Sequence, residues 1–287
     1  MAAPVRSAGL RTRFSQGSHR IRSARLLGGL PVPWSLVTSE TPARPLTIDQ
    51  RRETPSAALP AAVLWDMDGT LVDTEPYWMA SERALVATFD GVWTHEDAMG
   101  LVGASLPNAA RILQGKGVDL PVDAIIDRMT DEVIARLADD IPWRPGAVEL
   151  LEAARDAAVP QALVTMSMGR MAAAVIARLP VPAFATVVSG DMVERGKPDP
   201  EAYLLAASML GVEIAACVAI EDSYAGLGAA VASGAAVIGV PHQLELDPAA
   251  PYALWPTLVG RTVADLASVS AEHRQTGRVT IGTQARP

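Results

Sequence analysis

The chain has 287 residues, 49% of them apolar, which suffices for one or two domains with a substantial core. Its formal net charge of −8 argues against a nucleic-acid binder, and no run of about 20 apolar residues offers a membrane span. The single cysteine, Cys217, excludes an intrachain disulfide and a cysteine-built metal site, and the scattered His19, His95, His242 and His273 show no metal-ligand spacing.

Residues 1–60 carry nine Arg, no Lys and three acids, a charge of +6 that leaves −14 on the remainder. This Pro/Arg/Ser mix has little periodicity and reads as a disordered extension, although an Arg-rich, acid-poor start also has the character of a transit peptide. The apolar run Ala61–Trp65 is then a predicted buried strand. It ends in Asp66-Met67-Asp68-Gly69-Thr70. Side chains alternate along a strand, so positions 66 and 68 start on one side and form an anionic cup. Such carboxylates repel unless a proton or a hard cation relieves them, and Mg²⁺ suits a site with few carboxylates and a substrate phosphate. The plain alternative is a strand end with two solvated acids in a turn.

Helical spacing follows over Tyr77–Phe89, Ala98–Leu101, Leu106–Leu113 and Val122–Leu137, with no convincing strand between them. Residues 76–141 therefore read as a helical domain inserted into the first crossover. From Pro145 onward helix and strand alternate: Gly146–Ala157, Ala162–Thr165, Arg170–Leu179, Thr186–Ser189, Pro200–Leu210, Val218–Ile220, Ala225–Ala232 and Val237–Val240. That alternation predicts an α/β fold, a Rossmann-like parallel sheet with helices on both faces. Its core comprises 61–75 and 142–265, with 266–287 expected to be a disordered tail.

Three further segments carry chemistry at predicted strand ends, the edge where open α/β sheets bind ligands. Thr165 closes one strand, with the N–H groups of Met166 and Ser167 beside it, an arrangement that suits an anion. Thr165 as a helix cap is the equal alternative. Gly196-Lys197-Pro198-Asp199-Pro200 holds a lysine on a stiff loop, and only Lys116 and Lys197 are lysines among 24 Lys+Arg. Lys197 is thus a compact point charge at a site, or a surface lysine in a turn. Glu221-Asp222-Ser223 ends another strand. Asp222 is a candidate third metal ligand, with Glu221 orienting it or a bound water, or else Asp222 caps the next helix.

The order of these motifs, and the longer string Asp66 to Pro76, resembles the Mg²⁺-dependent phosphatase branch of the haloacid dehalogenase superfamily. It is most similar to members with a helical cap, such as sugar-phosphate phosphatases and β-phosphoglucomutase-like proteins. The resemblance spans about residues 61–240. It implies that Asp66 is the nucleophile that forms an aspartyl-phosphate and that Asp68 is the general acid/base. Thr165 would bind phosphoryl oxygens, with Met166 and Ser167 beside it, and Lys197 would neutralise the phosphoryl group. Asp66, Asp222 and the backbone carbonyl of Asp68 would hold Mg²⁺, supported by Glu221. The aspartate at 68 speaks against dehalogenation, since relatives that remove halide lack it.

The 76–141 segment would act as the cap, with Leu101–Leu106 as its specificity loop around Gly103. Phosphosugar mutases of this type carry a Lys before and an Arg shortly after that glycine, where this chain has Val102 and Leu106. Trp78 stands where they have a histidine. This favours a phosphatase for a small phosphorylated metabolite of the sugar or polyol class. A mutase using Arg111 or Arg136 is the first alternative and a non-catalytic binding protein the second. A phosphonate-cleaving role for Lys116 is a remote third. The expected protein is a cytoplasmic monomer whose partner is a small molecule, not a nucleic acid or a membrane.

Overall fold

The computed structural model describes residues 58–277. The expected extension therefore falls, over residues 1–57, outside the described residues. Six parallel strands form one sheet: β1 (Ala62–Trp65), β2 (Gln161–Val164), β3 (Thr186–Val188), β4 (Cys217–Glu221), β5 (Ala236–Gly239) and β6 (Ala253–Leu254). Their order is β3-β2-β1-β4-β5-β6, so β1 lies centrally between β2 and β4.

The continuous apolar strands are explained by burial on both faces. Along β1, Val63 and Trp65 enter one apolar cluster, and Ala62 and Leu64 enter the other, as the two-residue period requires. One face is covered by α7 (Glu201–Leu210) and α8 (Tyr224–Ser233), through Ala202, Tyr203, Ala206, Leu227 and Ala230. The opposite face is covered by α5 (Ala147–Asp156), α6 (Gly169–Ile176) and α9 (Val263–Thr276). One buried polar pair belongs to this packing. Trp65 Nε1 donates to Gln161 Oε1 at 2.8 Å, and Gln161 Nε2 donates to the Leu151 carbonyl at 3.0 Å. The amide thus satisfies groups on strand and helix at once.

Between β1 and α5 lies a helical insert: α1 (Glu75–Ala87), α2 (His95–Met99), α3 (Leu106–Gly115) and α4 (Val122–Asp139). Its interior residues Leu85, Leu113, Ile125, Met129 and Val133 belong to the same apolar cluster as Val63 and Trp65. The chain leaves and re-enters the core side by side. Asp73 N donates to the Pro142 carbonyl at 2.8 Å and Arg144 N to the Leu71 carbonyl at 2.9 Å. Two core arginines also reach the insert: Arg178 donates to the Leu137 and Ala138 carbonyls, and Arg170 pairs with Asp127 at 3.0 Å.

The expected tail from residue 266 is corrected. Helix α9 runs to Thr276, and Leu266 and Val269 are buried against the sheet. Thr262 and Asp265 form a reciprocal capping box at its start. The Thr-x-x-Asp pattern was a readable start signal. The helix is weakly amphipathic because Ala267 and Ser270 fill the rest of its buried face, and small residues give little periodicity. Strand β6, two residues long, also lacked a pattern of its own.

Because Leu266 is fully buried, Leu266→Ala is expected to lower unfolding free energy by about 2–4 kcal/mol. Urea denaturation checks this, and a change within error of zero would show that α9 does not contribute to the core.

Candidate active site

Strand order decides which loops meet. With β1 flanked by β2 and β4, the residues after all three strands share one edge, and Asp66 N donates to the Ile220 carbonyl at 3.0 Å. Asp66 and Asp68 follow β1, Thr165–Ser167 follow β2, and Glu221–Asp222 lie at the end of β4. Lys197 arrives from the loop after β3.

Lys197 is the organising cation. Its side chain is 5% exposed, so the surface-lysine alternative falls. Nζ donates to Asp66 Oδ1 at 2.7 Å, Glu221 Oε1 at 2.6 Å and the Val164 carbonyl at 2.9 Å. All three N–H bonds of the ammonium are thereby used. Burial works against its charge, but Asp66 and Glu221 outweigh it and hold its pKa above the ordinary lysine value. Tyr203 adds a hydrogen bond to Glu221 Oε1 at 2.7 Å and sets its ring 5.1 Å from the ammonium. The other Glu221 oxygen accepts from Asp222 N at 3.2 Å and Ser223 Oγ at 3.3 Å. A methyl group on Gly226 would lie 1.9 Å from Glu221 Oε1, so the small residues opening α8 make room for this carboxylate.

Asp66, Glu221 and Asp222 bring one oxygen each within 4.8 Å of one another, all buried. Three carboxylates against one ammonium leave two negative charges in excess. Burial and then the Glu221 charge push the Asp66 carboxyl up to about 7, despite Lys197. Burial and the charges of Asp66 and Glu221 raise Asp222 well above the carboxylate range. Asp66 Oδ2 is buried with no hydrogen-bond partner among the described residues. An unpartnered carboxylate oxygen in an over-charged anionic cup fits a divalent cation, which would relieve the repulsion and satisfy that oxygen. Gly69, at φ 87°, lets the turn pass Asp222; a methyl group there would lie 2.1 Å from Asp222 Oδ2.

The Asp68 carboxylate stands apart from this group. Oδ1 accepts from Thr74 Oγ1 at 2.5 Å and Trp78 Nε1 at 3.3 Å. Oδ2 accepts from Thr165 Oγ1 at 3.1 Å and Ser167 Oγ at 2.7 Å. Glu221, and not the Asp68 side chain, completes the close carboxylate trio, because four hydroxyl and indole donors already fix the Asp68 carboxylate. Thr165 also accepts from Ser167 N at 3.0 Å. It caps no helix, because α6 begins beyond it with Met168 as N-cap. Nor does Asp222 cap α8: Ser223 does, accepting from Gly226 N.

One cavity joins the core and insert sides of the site. Its walls include Asp66, Asp68, Met166, Ser167, Lys197 and Asp222 from the core, with Trp78, Val102, Gly103 and Leu106 from the insert. Arg111 and Arg136 are exposed and do not line it. Lys116, the candidate for the remote phosphonate-cleaving alternative, lies outside as well, paired with Asp97 at 2.6 Å. Sequence reasoning missed Thr74, Tyr203, Glu75 and Glu82. The two glutamates line the cavity from α1, and their spacing with Trp78 at positions 75, 78 and 82 was a legible helical face. Burial, followed by the charges of Asp68 and Asp73, raises Glu75 to about 7. Burial raises Glu82 to about 8 against the pull of a Trp93 hydrogen bond.

Fold and site together define a Rossmann-like α/β hydrolase of the phosphatase class. A family model described as haloacid dehalogenase-like hydrolase matches residues 60–234. Hexitol phosphatase A of Escherichia coli strain K12 is 35% identical over 181 residues, 62% of this chain and 81% of that protein. The phosphorylated carbohydrates phosphatase of Thermotoga maritima is 31% identical over 186 residues, covering 64% and 86%. A solved structure of CbbY from Rhodobacter sphaeroides, a variant in complex with xylulose-(1,5)bisphosphate, superposes with a TM-score of 0.65 at 27% identity, covering 70% of this chain and 96% of that one. The chain belongs to the haloacid dehalogenase-like hydrolases, and it is an enzyme.

The pKa of Glu82 sets a pH dependence of stability. Between its ordinary value of 4.5 and about 8, the folded state keeps a proton that the unfolded chain releases. The stability this group contributes is full below the lower value and is lost as pH rises through the upper one. Glu82→Gln cannot ionise. Its melting temperature relative to the parent should therefore rise between about pH 5 and about pH 9. A constant offset across that range would contradict the assignment.

Proposed function

We propose that this protein is a Mg²⁺-dependent phosphomonoesterase for small sugar or polyol phosphates, working through an aspartyl-phosphate on Asp66. The observation that carries this reading is the Asp66 carboxylate itself. One oxygen is fixed by Lys197 at 2.7 Å, the other is unpartnered, and a second carboxylate two residues away is independently held. Carbohydrate-phosphate phosphatases among the relatives support the substrate class.

The chemistry follows from the residues. Asp66 attacks the phosphorus while the alcohol leaves, and Asp68 gives that alcohol its proton. Asp68, now ionised, takes a proton from the water that attacks the aspartyl-phosphate. Phosphate departs and Asp66 is restored. Lys197 lowers the repulsion between the carboxylate and the phosphoryl dianion and holds Asp66 in line. Thr165 and Ser167 orient Asp68 through their hydroxyls, and with Met166 they form the turn facing the phosphoryl group. Asp66, Asp222 and the backbone carbonyl of Asp68 would hold Mg²⁺, which supplies charge neutralisation at the transferring phosphoryl group. Glu221 positions Lys197 beside them. The mutase alternative is disfavoured, because Arg111 and Arg136 lie outside the cavity.

With Mg²⁺ and p-nitrophenyl phosphate, purified protein should release phosphate, and excess EDTA should abolish the release. Asp66→Asn should remove turnover, and Asp68→Asn should slow it by about 10²–10⁴. Full activity in EDTA, or an active Asp66→Asn protein, would overturn the mechanism.

Lys197→Arg should not rescue the site. Three acceptors within 2.6–2.9 Å surround a point charge that is 5% exposed, and a planar guanidinium does not fit that arrangement. A loss of about 100-fold or more in kcat is expected. Parent-like kinetics would show that any cation suffices.

A further inference from the structure

The far wall of the cavity holds a buried carboxyl group that the phosphoryl chemistry does not use. Glu82 is 5% exposed and lines the cavity from α1. Its Oε2 accepts from Trp93 Nε1 at 3.2 Å, and no hydrogen bond to Oε1 occurs among the described residues. Leu101, Leu106, Ala109 and Met129 line the same cavity and offer no side-chain donor. Because Glu82 lines the cavity, a ligand group bound there can complete this oxygen.

The same helix face carries Glu75 and Trp78, and Trp78 Nε1 touches Asp68 at 3.3 Å. Glu75 and Glu82 are seven residues apart, ~10 Å along the helix axis. One helix face therefore carries both the indole that holds Asp68 and the Glu82 carboxyl. Among the described residues Lys197 is the only cation lining the cavity, and its three N–H bonds are all taken. A second phosphate would meet carboxyl groups without a counter-charge.

We infer that Glu82, held by Trp93, is a specificity-determining residue that hydrogen-bonds a hydroxyl of an uncharged sugar or polyol leaving group and disfavours bisphosphates. This deepens the phosphatase reading and rests on it. Burial keeps the Glu82 carboxyl protonated at neutral pH, so it both donates and accepts, as a hydroxyl partner requires. Trp93 fixes which oxygen remains free.

The test compares sorbitol 6-phosphate, p-nitrophenyl phosphate and fructose 1,6-bisphosphate in the parent enzyme with Mg²⁺, and the first two in variants. The parent should prefer sorbitol 6-phosphate to the bisphosphate. In Glu82→Leu the ratio of kcat/KM for sorbitol 6-phosphate over p-nitrophenyl phosphate should fall by about 10- to 100-fold. Glu82→Gln keeps a donor and an acceptor, and its ratio should stay within about threefold of the parent. If the leucine variant does not fold, Trp93→Phe reads the same ratio, with a fall of about threefold or more expected. An unchanged ratio in Glu82→Leu, or in Trp93→Phe when it stands in, would overturn the inference, as would a parent that prefers the bisphosphate. Either result leaves the phosphatase reading standing. A parent inactive on every substrate, p-nitrophenyl phosphate included, would instead remove the phosphatase reading and this inference with it.

Discussion

The site depends on one buried ammonium. Lys197 meets Asp66, Glu221 and the Val164 carbonyl with its three N–H bonds, joining the ends of β1, β2 and β4 at a single atom. Removing such a cation would leave buried carboxylates with no counter-charge, which is far costlier than losing a surface pair. Its neighbours serve it in turn. Tyr203 and the N–H of Asp222 hold Glu221, and the small residues of α8 leave space for that carboxylate.

Even so, one ammonium does not balance Asp66, Glu221 and Asp222. Burial, and after it the residual negative charge, raises the pKa values of Asp66 and Asp222. A phosphoryl-transfer site needs this unfinished state, because the missing positive charge is what draws in a divalent cation. Asp68 escapes the repulsion by facing Thr74, Trp78, Thr165 and Ser167. Two carboxylates two residues apart thus acquire different environments and can take different roles.

The insert supplies the other half of the cavity, and its seat is fixed by backbone bonds where its two connections run side by side, at residues 71–73 and 142–144. Helix α1 begins directly after the first connection. It presents Trp78 to Asp68 and carries Glu82 to the cavity. Asp68 and the Glu82 side of the cavity therefore belong to one continuous segment of chain.

The sequence by itself determined the alternation of strands and helices, the helical interruption after Pro76, and the placing of Asp66, Asp68, Thr165 and Asp222 at strand ends, with Lys197 on a loop beyond β3. Each is a local property: apolar periods, turn residues, and polar groups ending an apolar run. Helix α9 escaped because Ala and Ser fill part of its buried face. Tertiary structure alone decided which carboxylates share a cation. Asp68 is adjacent to Asp66 in the chain yet turns away, whereas Glu221, far off in sequence, closes the trio. It also decided that Thr74 and Tyr203 orient Asp68 and Glu221, and that Glu82 is a buried acid facing the cavity. Burial and contact between distant segments set which oxygen has a partner and which carboxyl keeps its proton. Neither is encoded in a spacing along the chain.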